Sequence, residues 1–193
     1  MCKESINKDL KTAAERLRRG EVILYPTDTV WGLGCDASDE NAVSEIYRLK
    51  HRADSKALIV LVADEEMLAR YIGGSIPTAV KEFMAEHRGR AMTVVYPGGH
   101  DVAANLLAED GSIGIRVVSD GFAHDLCNEL GGALVSTSAN ISGEPSARTY
   151  SEIARSLKEG VGYVSESGRD NQPGTPSMVV KYTADGSIII LRD

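Results

Sequence analysis

The densest chemistry in this sequence sits in Lys50-His51-Arg52-Ala53-Asp54-Ser55-Lys56, which with Arg48 places four cations and one acid in nine residues. An arginine offers phosphate oxygens a planar fork of donors, and a lysine offers them a point charge. The pair Lys50 and Arg52 therefore has the makings of a phosphate clamp. The same cations would also suit the C-terminal end of a helix, where the macrodipole is negative. A second signal is Leu134-Val135-Ser136-Thr137-Ser138-Ala139-Asn140, three hydroxyls and an amide at the end of an apolar run. Such groups can line the crevice outside the carboxyl end of a strand, where open α/β sheets bind ligands. They can equally close a self-bonded turn. Nucleophilic catalysis by Ser136 or Ser138 is not expected, because there is no G-x-S-x-G elbow and no histidine marked as a base. A third signal is Arg116, a cation inside the apolar run Ile113–Val118. Burying it is costly unless a carboxylate or an anionic ligand pairs with it.

Two other patterns carry less. Gly32-x-Gly34-x-x-Ala37 fits a dinucleotide fingerprint, yet Pro26–Trp31 separates it from the preceding strand, too long a loop for pyrophosphate to reach the helix N-terminus in the usual way. His124-x-x-Cys127 has no second Cys or His pair to complete a metal site.

The elements that must position these groups follow from periodicity. Leu10, Ala13, Ala14 and Leu17 predict a helix over 7–19, stopped by Gly20. A strand is predicted at 21–25 and a helix from 39 to 49 or 50, with Ser38 as its N-cap and Lys50 at the end of its apolar stripe. Ala57–Val62 reads as a buried strand. Helices are predicted at 64–72, 77–86, 121–130 and 150–158, and strands at 91–96, 112–118, 133–135, 161–165, 177–182 and 187–191. Ser165–Pro176 is long enough to be a functional loop. The alternation predicts one α/β domain over residues 1–193, with a mixed sheet that ends in an antiparallel pair.

Composition bounds the function. The chain has 193 residues, enough for a substantial core, and 21 Lys+Arg against 28 Asp+Glu give a net charge of −7. Residues 1–56 carry ten cations and ten acids, so the acidic excess lies beyond them. General affinity for polyanions is not implied. Aromatics make up 5%, which argues against base stacking as the main business. No apolar run approaches the roughly 18 residues of a membrane span, and Met1–Arg19 lacks a signal-peptide core. The three cysteines are odd in number and widely spaced, as expected of a reducing, cytoplasmic compartment.

In this order, Tyr25-Pro-Thr-Asp-Thr-Val-Trp-Gly-Leu-Gly34, Lys50-x-Arg52, Ser136-Thr-Ser-Ala-Asn-Ile-Ser-Gly143 and the closing Leu191-Arg192 resemble the YrdC/TsaC family of threonylcarbamoyl-AMP synthases. The likeness runs from about Leu10 to Arg192, in the family's short, single-domain form. It implies a twisted mixed sheet flanked by helices around an open cleft. The implied reaction joins L-threonine, bicarbonate or CO2, and ATP into threonylcarbamoyl-AMP and pyrophosphate, with Mg²⁺ carried by the nucleotide. This is the first step of N6-threonylcarbamoyladenosine formation on tRNA. The implied threonine contacts are Thr29, Arg116, Ser136 and Ser177. The implied nucleotide contacts are Lys50, Arg52, Lys56, Ser112, Ser138, Asn140, Ser146 and Arg192, with Lys50 and Arg52 as the catalytic cations. Implied partners are tRNA or double-stranded RNA and downstream threonylcarbamoyl-transferase proteins. The sequence departs from the family pattern at Leu61, Lys56, Gly89–Thr93 and Lys181. Two other readings stay open: an adenylating enzyme that uses carbamoyl phosphate, and a non-catalytic RNA-binding protein, for which six cations among the first nineteen residues speak.

Overall fold

Leu10, Ala13, Ala14 and Leu17 are buried along one stripe of α1 (Lys3–Arg18), in a computed structural model that describes residues 3–51, 58–171 and 174–193. Gly20, at φ +76°, closes that helix in the left-handed conformation that glycine adopts without strain. The strands β1 (Ile23–Tyr25) and β2 (Gly32–Gly34) form an antiparallel pair. After α2 (Glu40–Leu49) come β3 (Ile59–Val62), α3 (Glu65–Tyr71), α4 (Thr78–Glu86), β4 (Met92–Tyr96), β5 (Ile113–Val117), α5 (Gly121–Leu130) and β6 (Leu134–Ser138). The chain ends with α6 (Arg155–Gly160), β7 (Tyr163–Val164), β8 (Met178–Tyr182) and β9 (Ile188–Arg192).

Among the described residues these nine strands make one mixed sheet, in the order β7-β1-β2-β6-β3-β5-β4-β8-β9. The parallel pair β3·β5 at its centre is flanked by antiparallel neighbours, and β8·β9 is the expected antiparallel pair. The helices α3 and α5 pack against β3. By strand alternation Val60, Val62, Ile115 and Val135 share one sheet face, and all four are buried. The opposite face carries Ile59, Leu61, Gly114, Arg116, Ser136 and Ser138, and it is there that polar side chains collect.

Two local expectations are corrected, and one strand is not predicted. The N-cap of α2 is Asp39, whose carboxylate accepts from the backbone N–H of Asn41 and Ala42. Ser38 is already held by Asp36, to which it donates both its N–H and its hydroxyl. The helix expected over 150–158 is two pieces, a 3-10 turn at Tyr150–Glu152 and α6, because Ile153 takes an extended backbone and drops into the core. The segment around Gly32 and Gly34 is a strand. Tyr25 pairs with Gly32 across β1·β2, and a Cβ on Gly32 would lie 3.0 Å from two carbons of its ring. On Gly34 a Cβ would lie 2.7 Å from that ring and 2.4 Å from the Val135 carbonyl oxygen. The two glycines thus make a flat bed for a buried tyrosine. Gly34→Ala is expected to lower stability by about 1–3 kcal/mol, the scale of overpacking a tight interior, as read from urea unfolding.

Asp9 ties the start of the 165–176 loop to α1. It is buried, and its carboxylate accepts from the Tyr163 hydroxyl, the Ser165 hydroxyl and the Ser167 N–H, each at 2.7 Å. Burial by itself raises the Asp9 pKa, but the hydrogen bonds from Ser167, Ser165 and Tyr163 together outweigh it and hold the carboxyl below its ordinary 3.8. A depressed folded value means that the stabilisation is complete above about pH 4 and is lost as the pH falls through the folded value. Asp9→Ala should therefore destabilise by about 1–3 kcal/mol near neutrality. The gap to the parent should close in urea titrations taken progressively below pH 4.

Candidate active-site cleft

Strand register lays the polar face out in rows. Leu61 on β3 pairs with Arg116 on β5, and Ile59 pairs with Gly114 on one side and Ser136 of β6 on the other. Moving two residues down β5 and two residues up β6 runs in the same physical direction, since β3 is parallel to β5 and antiparallel to β6. This brings Ser112 and Ser138 toward the same end, with Gly32 directly paired to Ser138. Four residues separate Arg116 from Ser112, about 13 Å along the strand. A cationic end and a hydroxyl-rich end are thus displayed on one sheet face. Over this face lies a cleft of about 340 Å3, lined among others by Thr29, Gly32, Leu61, Arg116, Ser136, Ser138, Ser146, Ser177 and Arg192.

Arg116 is 5% exposed and forms an ion pair with Asp28, which reaches it from the β1–β2 loop. Its Nε is buried and has no partner among the described residues. The loop is pinned by Thr27, whose hydroxyl accepts from the N–H groups of Thr29 and Val30 and donates to the Val30 carbonyl. Thr29 in turn accepts from the Gly174 N–H at 2.6 Å, so the loop lies under the end of the 165–176 segment. Ser177 shares a hydrogen bond with Thr93 at 3.0 Å, and the Arg192 guanidinium donates to the Ser177 carbonyl at 2.8 and 3.2 Å. Beneath them Tyr25 is fully enclosed, and burial pushes its phenol above the ordinary range, so it stays neutral.

Of the sequence-predicted site residues, the cleft gathers Thr29, Arg116, Ser136, Ser177, Ser138, Ser146 and Arg192. Lys50 and Asn140 lie behind it. Lys50 is 2% exposed, and its Nζ donates to the carbonyl oxygens of Ser138 (2.5 Å) and Asn140 (2.7 Å) and to Asn140 Oδ1 (3.4 Å). The Asn140 side chain accepts from the Ser138 hydroxyl at 2.5 Å and donates to the Glu144 carbonyl at 2.7 Å. Ser112 extends the polar face beyond the cleft lining and donates to Asp110 at 2.5 Å. That bond, then the Lys181 ammonium 2.9 Å away, hold the Asp110 carboxyl well below its usual range. Arg52 and Lys56 lie outside the described residues. His124 and Cys127 do not share a site: His124 faces Asp125, and the buried Cys127 thiol donates to the Leu61 carbonyl. Burial pushes that thiol up to about 12.

Sequence reasoning gave no role to Asp28, Thr27, Thr93 or Gly32. The first two stand inside the Tyr25–Gly34 segment, where an acid between two threonines was a readable signal. Thr93 sits in an unremarkable apolar strand and becomes visible only through its contact with Ser177.

The model of the Sua5/YciO/YrdC family, described as telomere recombination, matches residues 15–193. The chain belongs to this family. A threonylcarbamoyl-AMP synthase of Stenotrophomonas maltophilia is 39% identical over 145 residues, covering 75% of this chain and 78% of that one. The structure of P. abyssi Sua5 complexed with L-threonine superposes with a TM-score of 0.82 at 27% identity, over 95% of this chain. This chain spans only 53% of that Sua5 chain. E. coli YciO, at 28% identity and a TM-score of 0.81, is covered over 89% of its length, which agrees with a YrdC-type fold for this chain. Within the family frame, Leu61 presents an apolar side chain beside Arg116, and Lys181 serves Asp110 at the far end of β5.

Proposed function

We propose that this chain is a threonylcarbamoyl-AMP synthase, which joins L-threonine, bicarbonate or CO2, and ATP to give threonylcarbamoyl-AMP and pyrophosphate. The observation that carries this reading is one sheet face with a buried guanidinium at one end and hydroxyls at the other. Arg116, Ser136, Thr29 and Ser177 suit an amino acid with a carboxylate and a hydroxyl. Ser138, Ser146 and Arg192, with Ser112 further along, suit a nucleotide. Similarity to enzymes named for this product supports the assignment.

The chemistry fits such residues. The threonine carbamate is itself the nucleophile, its oxygen attacks the α-phosphorus of ATP, and pyrophosphate leaves. No covalent enzyme intermediate is needed, so the protein contributes alignment of the two substrates and cations against developing charge. We assign the role of cation against developing charge to Arg52 from the sequence, and a supporting nucleotide contact to Arg192, which lines the cleft. The donors of the cleft suit phosphate and carboxylate oxygens, so Mg²⁺ would arrive on the triphosphate and neutralise charge there. We place the enzyme in the cytoplasm, upstream of proteins that pass the threonylcarbamoyl group to tRNA; no helix among the described residues is long and apolar enough to cross a membrane.

The deciding experiment is incorporation of labelled pyrophosphate into ATP. Exchange is expected only with threonine and bicarbonate together, with threonylcarbamoyl-AMP visible by mass. Exchange driven by carbamoyl phosphate without threonine would assign the cleft to the alternative adenylating chemistry.

A further inference from the structure

On the threonine reading of the cleft, the ion pair between Asp28 and Arg116 occupies the place assigned to the substrate carboxylate. Arg116 is fixed: it lies on the central strand β5, is 5% exposed and cannot follow a ligand outward. Asp28 is its opposite, a loop residue whose side chain is 42% exposed. Its backbone is nevertheless held, because Thr27 bonds to Thr29 and Val30 and Gly174 packs on the Asp28 carbonyl. Making room therefore falls to the Asp28 side chain, which swings aside and stays close to the ligand.

A ligand bearing only a carboxylate would set two anions against one guanidinium in a shared cleft, and like charges at that range repel. An α-amino acid avoids this conflict, since its ammonium stands within about 3–4 Å of its own carboxylate, a hydrogen-bond-scale separation. We propose that the Asp28–Arg116 pair is opened by a zwitterion: the ligand carboxylate replaces Asp28 on Arg116, and the ligand ammonium takes up the Asp28 carboxylate so released. Both charges keep an opposite partner, and the net charge of the site is unchanged. Asp28 is thereby a specificity-determining residue that selects free α-amino acids over plain hydroxy acids. This rests on the reading of the cleft as a threonine site.

Calorimetric titration of the full chain with L-threonine and with (R)-3-hydroxybutanoate, the same molecule without the amine, tests it. The parent protein is expected to prefer threonine by at least about tenfold, the scale of one charge-assisted hydrogen bond in place of a like-charge repulsion. Asp28→Asn should weaken threonine and tighten 3-hydroxybutanoate, so that the preference collapses; Asp28→Glu should retain it. Equal binding of the two ligands by the parent protein overturns the proposal even if Asp28→Asn fails to fold. A shift of both ligands in the same direction in a folded Asp28→Asn protein also overturns it, leaving Asp28 as a structural partner of Arg116. Binding of neither ligand by the parent protein defeats the threonine reading itself, and the proposal with it.

Discussion

Arg116→Ala is expected to raise the threonine requirement of adenylate formation by tenfold to a hundredfold while the ATP requirement stays within about twofold. The larger figure corresponds to the loss of a charge-assisted, bidentate contact, about 3 kcal/mol at its upper end. Threonine's carboxylate is the one fixed anion that the reaction does not consume, so a guanidinium that holds it also orients the amine toward CO2. Arg116→Lys should recover only part of the loss, since an ammonium supplies charge without the planar fork. The fold should survive, because Asp28, left alone, is exposed enough to turn its carboxylate to water. Equal damage to both substrates in a folded protein would mean that the cleft as a whole had collapsed and that Arg116 is a structural cation.

Much of this arrangement is legible in the sequence, for identifiable reasons. The stripe Leu10, Ala13, Ala14, Leu17 and the unbroken run ending in Val62 bury one face or both, and burial of that kind writes itself into residue type. Arg116 stands out because a cation inside an apolar strand has to be explained. Most of what escapes is decided by partners distant in sequence. The strand at Gly32–Gly34 goes unpredicted because nothing local announces that Tyr25 will lie across it. The cap of α2 is the local exception: Ser38 and Asp39 are equally good caps in isolation, and Asp36, two residues before Ser38, takes Ser38 out of the competition. The break at Ile153 is a tertiary effect, since a helical pattern gives way where one side chain is better served by the core. The role of Asp28 is half legible, since an acid between two threonines stands out while its partner, 88 residues away, does not.

The second large effect is expected at Lys50, and it separates two ways in which a lysine can serve a nucleotide. Lys50 is buried at the end of α2, and its ammonium holds the carbonyls of Ser138 and Asn140 just where the hydroxyl-bearing strand β6 ends and the chain turns at Ala139-Asn140. Lys50→Met keeps the length of the side chain and removes the donor, leaving buried acceptors unpaired at about 1–3 kcal/mol each. The end of β6 that carries Ser138 and the turn that follows it should loosen. ATP affinity is then expected to fall by tenfold to a hundredfold, with threonine binding much less affected because Arg116 is on β5 and Ser136 is held further inside the sheet by its pairing with β3. Asn140→Ala attacks the same turn from its other side. If Lys50 acts by positioning, the double variant should bind ATP no worse than the weaker single one, since each change undoes the same structure. If Lys50 instead serves ATP by touching phosphate and not through that turn, the two losses should add to within about 0.5 kcal/mol, as they do for independent sites. Calorimetric titration of the four proteins with ATP reads the difference.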